Sequence, residues 1–295
     1  MTRPRGSWTA VAAVTLFLLS ACARAADPAA GPSEDASPGA SASAAPDALV
    51  LRIDRVGGFV APDQQLGRYP VVSVYADGRV ITTGPQIQIY PGPALPNLLV
   101  QQIDPATVQG LLDKAVRAGV RSGADLGQPS VADAPTTRIT VAAPGGGTSS
   151  LEAVALTETQ PDDPRLTPAQ REARAKLAAF VQEVSDLPNA QGMPPAQPYR
   201  PTAVAALARP YVDPQDGLPK KPAPVAWPGP ALPGSMLNGR TGCVTATGAD
   251  AEKVLAAAKQ ATQITPWTSG GRRWTVVLRP LLPDESGCAN LKGAR

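Results

Sequence analysis

The chain has 295 residues, with 27 Lys and Arg against 24 Asp and Glu, and no histidine. A formal charge of +3 with no basic block argues against a nucleic-acid partner. The lack of imidazole excludes Ser-His-Asp and Cys-His catalysis and His-ligated zinc. The 34 prolines and the many alanines point to a GC-rich genome, so motifs built on those residues carry little weight.

Arg3 and Arg5 precede an apolar run from Ala10 to Leu19. This is the layout of a secretory signal, and the run is too short to span a bilayer, which takes roughly 20 residues. Pro4 separates the two arginines, so general export is expected and not a twin-arginine route. Leu19-Ser20-Ala21-Cys22 follows and resembles the lipobox of bacterial lipoproteins. That resemblance implies cleavage before Cys22, diacylglycerol in thioether linkage on its sulfur, and an acylated amine. The alternative is a plain secreted protein cut after Ala23 or Ala25, with Cys22 lost. Cleavage before Cys22 removes two arginines and no acid, so the charge falls from +3 to +1. Residues 1–21 are read as the signal peptide and 22–47 as lipid anchor and tether. Ala23 to Asp47 holds no aromatic and no large aliphatic residue, so it cannot offset its own ordering entropy. Its reach as a coil is roughly 25–30 Å.

Ordered sequence is expected from Ala48. Leu49, Leu51 and Ile53 alternate with Val50, Arg52 and Asp54, a half-buried strand. Pro70 to Thr83 reads as a hairpin turning at Asp77-Gly78. Gln86 to Tyr90 alternates as one more short strand, and Leu98 to Ile103 as another. Asp104-Pro105 opens a helix that places Val108, Leu111, Leu112, Ala115 and Val116 on one face before Gly119 stops it. Thr136 to Ala143 and Ser149 to Thr157 form a second hairpin across Gly145-Gly146-Gly147. Thr167 to Gln170 begins a second helix with a capping box. Residues 48–187 are therefore expected to be one α+β domain, an antiparallel sheet with two helices on a face.

Pro188 to Pro201 is proline-rich and reads as a linker, 188–201. Residues 202–295 are expected to form a smaller α/β domain. Its elements are a strand at Thr202 to Ala208, an extended crossing from Pro210 to Pro233, a strand at Thr241 to Thr247, a helix capped by Asp250, and a strand at Trp274 to Arg279. If Cys22 carries lipid, Cys243 and Cys288 remain as an even pair. Outside the cytoplasm such a pair reads as a disulfide, with two free thiols or half a metal site as the alternative.

Tyr90-Pro91-Gly92-Pro93-Ala94-Leu95-Pro96-Asn97 recurs as Trp227-Pro228-Gly229-Pro230-Ala231-Leu232-Pro233-Gly234. Three readings are open: shared turn chemistry, a duplicated unit, or two loops that meet and clip the domains together through Leu95 and Leu232. Tyr90, Leu95, Trp227, Leu232 and Trp267 are the candidate binding or interdomain residues. Trp274 alternates with Val276 and Leu278 and reads as core, while Trp267 beside Pro266 is the better candidate for exposure. No phosphate loop or calcium loop is present, no cofactor is expected, and Asp162-Asp163 reads as a solvated turn. Ser-x-x-Lys is missing, and the acids fall in no recognisable cleft motif, so a carboxylate-based hydrolase is the least favoured reading.

Arg55-Val56-Gly57-Gly58-Phe59 behind a strand, with the helix, strand, hairpin and helix that follow, resembles small emfourin-type peptidase inhibitor domains. The stretch from about residue 60 to 104 is an insertion relative to that compact pattern. The hairpin Val74-Tyr75-Ala76-Asp77-Gly78-Arg79-Val80-Ile81 and the Tyr90 to Asn97 loop resemble two-domain secreted lipoproteins of high-GC Gram-positive bacteria. The expectation is a non-catalytic module lipid-anchored on the outer face of the cytoplasmic membrane, binding a protein or envelope polymer. Inhibition of a secreted peptidase is the alternative.

Overall fold

The computed structural model describes residues 45–60, 65–143 and 146–292. The signal peptide, Cys22 and the tether up to 44 lie outside the described residues, as does Gly145 of the second hairpin turn. The fold is α+β, and all described residues belong to one compact unit containing two sheets.

The first sheet is built from β1 (Leu49–Gly57), β2 (Val72–Tyr75), β3 (Arg79–Thr83), β4 (Leu98–Gln102), β5 (Pro135–Ala142), β6 (Thr148–Val154) and β7 (Gln197–Pro198). Its order is β6-β5-β1-β2-β3-β4-β7, antiparallel throughout. Gly78 turns the β2–β3 hairpin at φ +87°, and a Cβ there would lie 2.1 Å from the Ile103 carbonyl, so the site requires glycine. Helices α1 (Pro105–Arg117) and α2 (Pro168–Asp186) cover one face of the sheet. Asp104 caps α1 by accepting the Thr107 N–H at 2.9 Å, and Thr167 and Gln170 close the expected capping box on α2. Every residue of β2 is buried, because Val72 and Val74 face the helices while Ser73 and Tyr75 face the opposite layer.

The second sheet holds β8 (Ala203–Pro210), β9 (Val225–Ala226), β10 (Ser235–Met236), β11 (Gly242–Thr247), β12 (Trp267–Ser269) and β13 (Arg272–Pro280), in the order β10-β11-β8-β13-β12-β9. It is mixed, since β12 and β9 run parallel. Helix α3 (Gly248–Ala258) packs on one face, with Val254 and Ala258 against Val204, Ala206 and Ala208. On the other face Ala205 and Leu207 meet Leu281, Leu291 and Leu66.

Several expectations need correction. Gln86 to Tyr90 is not a strand. The partner of β3 is β4, whose Leu98 pairs with Thr83, so residues 84–97 are the long connection between them. Gly84 sits where a Cβ would come within 2.6 Å of Leu99, and the chain leaves the sheet there. The proline-rich 188–201 segment is not bare connection. Gln197–Pro198 pairs with β4, and the Tyr199 N–H donates to the Leu98 carbonyl at 2.9 Å. The N-cap of α3 is Thr247, and Asp250 lies in the first turn, where its charge suits the helix dipole. Strands β9, β10 and β12 lie in stretches for which the sequence pattern predicts no strand. Asp163 is buried, not a solvated turn residue.

Candidate functional site

The C-terminal segment after β13 runs between the two sheets and supplies much of what holds them together. Leu282 packs with Tyr75 and Ile81 on the helix-free face of the first sheet, beside Leu49, Tyr69, Val100 and Tyr199. Most polar groups from both sides are paired in this layer, the Arg279 Nε being an exception. Arg52 of β1 pairs with Asp284 at 2.6 Å and donates to the Ser73 hydroxyl at 3.1 Å, while the Tyr75 hydroxyl donates to Asp284 at 2.8 Å. The Tyr69 hydroxyl donates to the Pro280 carbonyl at 2.8 Å and that of Tyr199 to the Leu281 carbonyl at 2.9 Å.

Arg279 and Glu285 form a bidentate pair at 2.6 and 2.8 Å, with side-chain exposures of 4% and 7%. The Arg279 guanidinium also lies 4.8 Å from the Tyr69 ring centroid. Burial opposes its charge, but the hydrogen bonds and charge of Glu285 outweigh that and raise its pKa. Burial pushes the Tyr69 and Tyr75 phenols well above their ordinary range and raises Tyr199 to about 12. These tyrosines act as neutral donors. Asp54 is likewise raised, chiefly by burial. None of these residues stands out in the sequence as a group. In the sequence the Trp274, Val276, Leu278 alternation puts Arg279 on the opposite face of the strand, where a charge reads as solvated, so its burial gave no local signal.

The second junction is the Tyr90 to Asn97 loop. It leaves the first sheet and docks on the turn behind α3, where the Ala94 N–H donates to the Ala261 carbonyl at 3.1 Å and the Gln263 N–H to the Gly92 carbonyl at 2.9 Å. Leu95 packs half-buried against the core of the second sheet, to which Leu232 of the repeat also belongs. The hydroxyl of exposed Tyr90 donates to Asp216 at 2.9 Å. The repeated loop behaves differently. It folds over its own aromatic, with the Trp227 indole N–H donating to the Pro230 carbonyl at 2.7 Å.

Trp267 is fully buried, contrary to the expected exposure. It stacks edge-on against Trp227 at 5.4 Å and 90°. Its pairing with Trp274 across the β12–β13 hairpin turns it into the core, and Gly270-Gly271 form the tight turn beyond it. Trp227 and Leu232 are core residues as well, which leaves Tyr90 as the exposed member of the candidate set. Cys243 and Cys288 form a disulfide, with Cα atoms 6.0 Å apart, that ties the C-terminal segment to β11. Cys22 lies outside the described residues.

Two grooves flank the Tyr90 to Asn97 loop and share Leu95 and Pro96. One, of about 550 Å³, is lined by Ile87, Ile89, Val276, Val277 and Leu278 with Arg68 and Arg209. Ile87 and Ile89 are 62% and 59% exposed, and Val277 is 46% exposed, so three large apolar side chains face solvent along one depression. The other, of about 510 Å³, lies between Leu98 and Leu255, with Tyr199, Arg200 and Lys259. A third groove, of about 420 Å³, runs beside α2 past Arg171 and Arg174. The three linings include one carboxylate, Glu172, so no pair of acids faces any of them. Among the described residues no cluster of three or more potential ligands could hold a metal, and no helix is long and apolar enough to cross a membrane.

No family model matches this chain, and no curated protein and no solved structure is significantly similar to it.

Proposed function

We propose that the protein is a lipoprotein, anchored through Cys22 on the outer face of the cytoplasmic membrane, that acts by binding a protein or envelope polymer and not by catalysis. The observation that carries the binding reading is the groove of Ile87, Ile89 and Val277. Exposed large apolar residues gathered in one concave patch mark interaction surfaces more often than scattered ones do. Leu19-Ser20-Ala21-Cys22 supports the address. The resemblance to secreted lipoproteins of high-GC Gram-positive bacteria points the same way.

The test is photocrosslinking in the native host with a photoreactive residue at position 87, and at Val116, exposed on α1, as the control site. A discrete adduct from 87 that is missing from 116 and abolished by Val277→Asp is expected. An identical pattern from both sites would reject the groove. For the address, Cys22→Ala is expected to lose lipid label and leave the membrane fraction.

Peptidase inhibition remains the second reading, favoured by Phe59. It is 94% exposed behind Gly57 and Gly58, both at positive φ, and so stands on a turn like a side chain offered to a cleft. Micromolar inhibition of secreted metallopeptidases by the full chain, lost on Phe59→Ala, is the expected result under that reading.

A further inference from the structure

We infer that the groove on the other side of the Tyr90 to Asn97 loop is a binding site for a small anionic amphiphile, an apolar chain ending in a carboxylate. The site is distinct from the proposed partner groove, although both share the Leu95-Pro96 ridge. Its volume of about 510 Å³ falls within the roughly 300–1,000 Å³ typical of small-ligand pockets. Leu95, Leu98 and Leu255, with Pro96, Pro198, Pro201 and Pro280, give it apolar walls contributed by both sheets and α3. Proline rings offer apolar surface that is already rigid, so an apolar chain entering the groove orders little protein.

The charged part of the lining has one sign, beside the neutral Asn97 and Tyr199. Arg200 and Lys259 both line the groove, and no acid does. Neither cation has a side-chain hydrogen bond or ion pair among the described residues, so both are free to meet a ligand. Two uncompensated cations beside an apolar trough match a ligand with an anionic head and an apolar tail. Guanidinium presents a planar fork that fits a carboxylate, and ammonium adds a second charge.

The test is isothermal titration calorimetry of the full chain with dodecanoate below its micellar concentration. Dodecanol supplies the chain without the charge, and acetate supplies the charge without the chain. Dodecanoate is expected to bind at one site, and both controls at least about tenfold more weakly, because the site reads head and tail together. Arg200→Glu with Lys259→Glu is expected to weaken dodecanoate by more than about tenfold, since charge-assisted contacts become repulsive. Both side chains are exposed and unpaired, so the unfolding midpoint should not move. Equal binding of dodecanoate and dodecanol, or unchanged dodecanoate binding by the double variant, would overturn the inference. Crosslinking from position 87 reads the other groove separately, so a failure there and a failure here are distinguishable.

Discussion

Removing Glu285 strands a guanidinium in the layer between the sheets. Arg279 is 4% exposed in its side chain, and its Nε has no hydrogen-bond partner even with Glu285 in place. Glu285→Ala is expected to cost about 3–5 kcal/mol in urea unfolding. Replacing both members, with Arg279→Met and Glu285→Leu, should recover the part of that loss due to the buried charge, but not the bond that the Leu282 N–H donates to Glu285 at 2.9 Å. A second residue-scale prediction concerns Asp163. Its carboxylate accepts the Ser130 N–H at 2.7 Å, the Arg165 N–H at 2.9 Å and the Ser130 hydroxyl at 3.0 Å, and these bonds hold its pKa below the ordinary value. The folded value is depressed, so this stabilisation is complete above the unfolded pKa of about 3.9 and is lost as pH falls through the folded value. The urea midpoint of Asp163→Asn should therefore fall less steeply below about pH 4 than that of the parent chain. Parallel acid limbs would show that Asp163 does not contribute.

At the scale of elements, the disulfide and the Tyr90 to Asn97 loop are two independent fastenings. Cys243 and Cys288 are separated by 45 residues, and losing the closed loop should cost up to about 4 kcal/mol on the chain-entropy account. The bond also ties down the segment that carries Leu282, Asp284 and Glu285 into the layer between the sheets. Cys243→Ala with Cys288→Ala is thus expected to lower the unfolding midpoint and to raise hydrogen exchange on the helix-free face of β2 and β3, while α1 and α2 stay protected. On the loop, Leu95→Ala should cost roughly 1–2 kcal/mol for a half-buried side chain. Leu232→Ala should cost more, roughly 2–5 kcal/mol, because it opens a cavity in a closed core. Equal and negligible losses would show that neither repeat supports the packing.

For the whole molecule, the consequence is cooperativity. The described tryptophans, Trp227, Trp267 and Trp274, all lie in the core of the second sheet, whereas the two longest helices among the described residues pack on the first. Tryptophan fluorescence and far-UV circular dichroism therefore report different halves. The layer of Tyr69, Tyr75, Leu282 and the two ion pairs joins those halves, so a single coincident transition is expected by both probes. Two separated transitions would mean that the sheets are independent domains held by contacts too weak to couple them.

Local chemistry was legible in the sequence. Asp104-Pro105 and Thr167 to Gln170 mark their helix starts because capping is satisfied within four residues, and Asp77-Gly78 marks a hairpin because its turn needs a residue free to take positive φ. The even pair of cysteines was legible as a disulfide for a similar reason, since arithmetic on two residues needs no fold. Gln86 to Tyr90 shows where local pattern failed. It alternates like a strand, but a strand needs a neighbour, and β3 had already taken Leu98 to Gln102. Trp267 failed in the opposite sense, because its burial depends on Trp227 and Trp274, which are distant or across a turn. The layer between the sheets and the grooves beside the Tyr90 to Asn97 loop could not be read from the chain. Each is made by residues far apart in sequence, such as Arg52 and Asp284 or Leu98 and Leu255, and their meeting was decided by the packing of the two sheets.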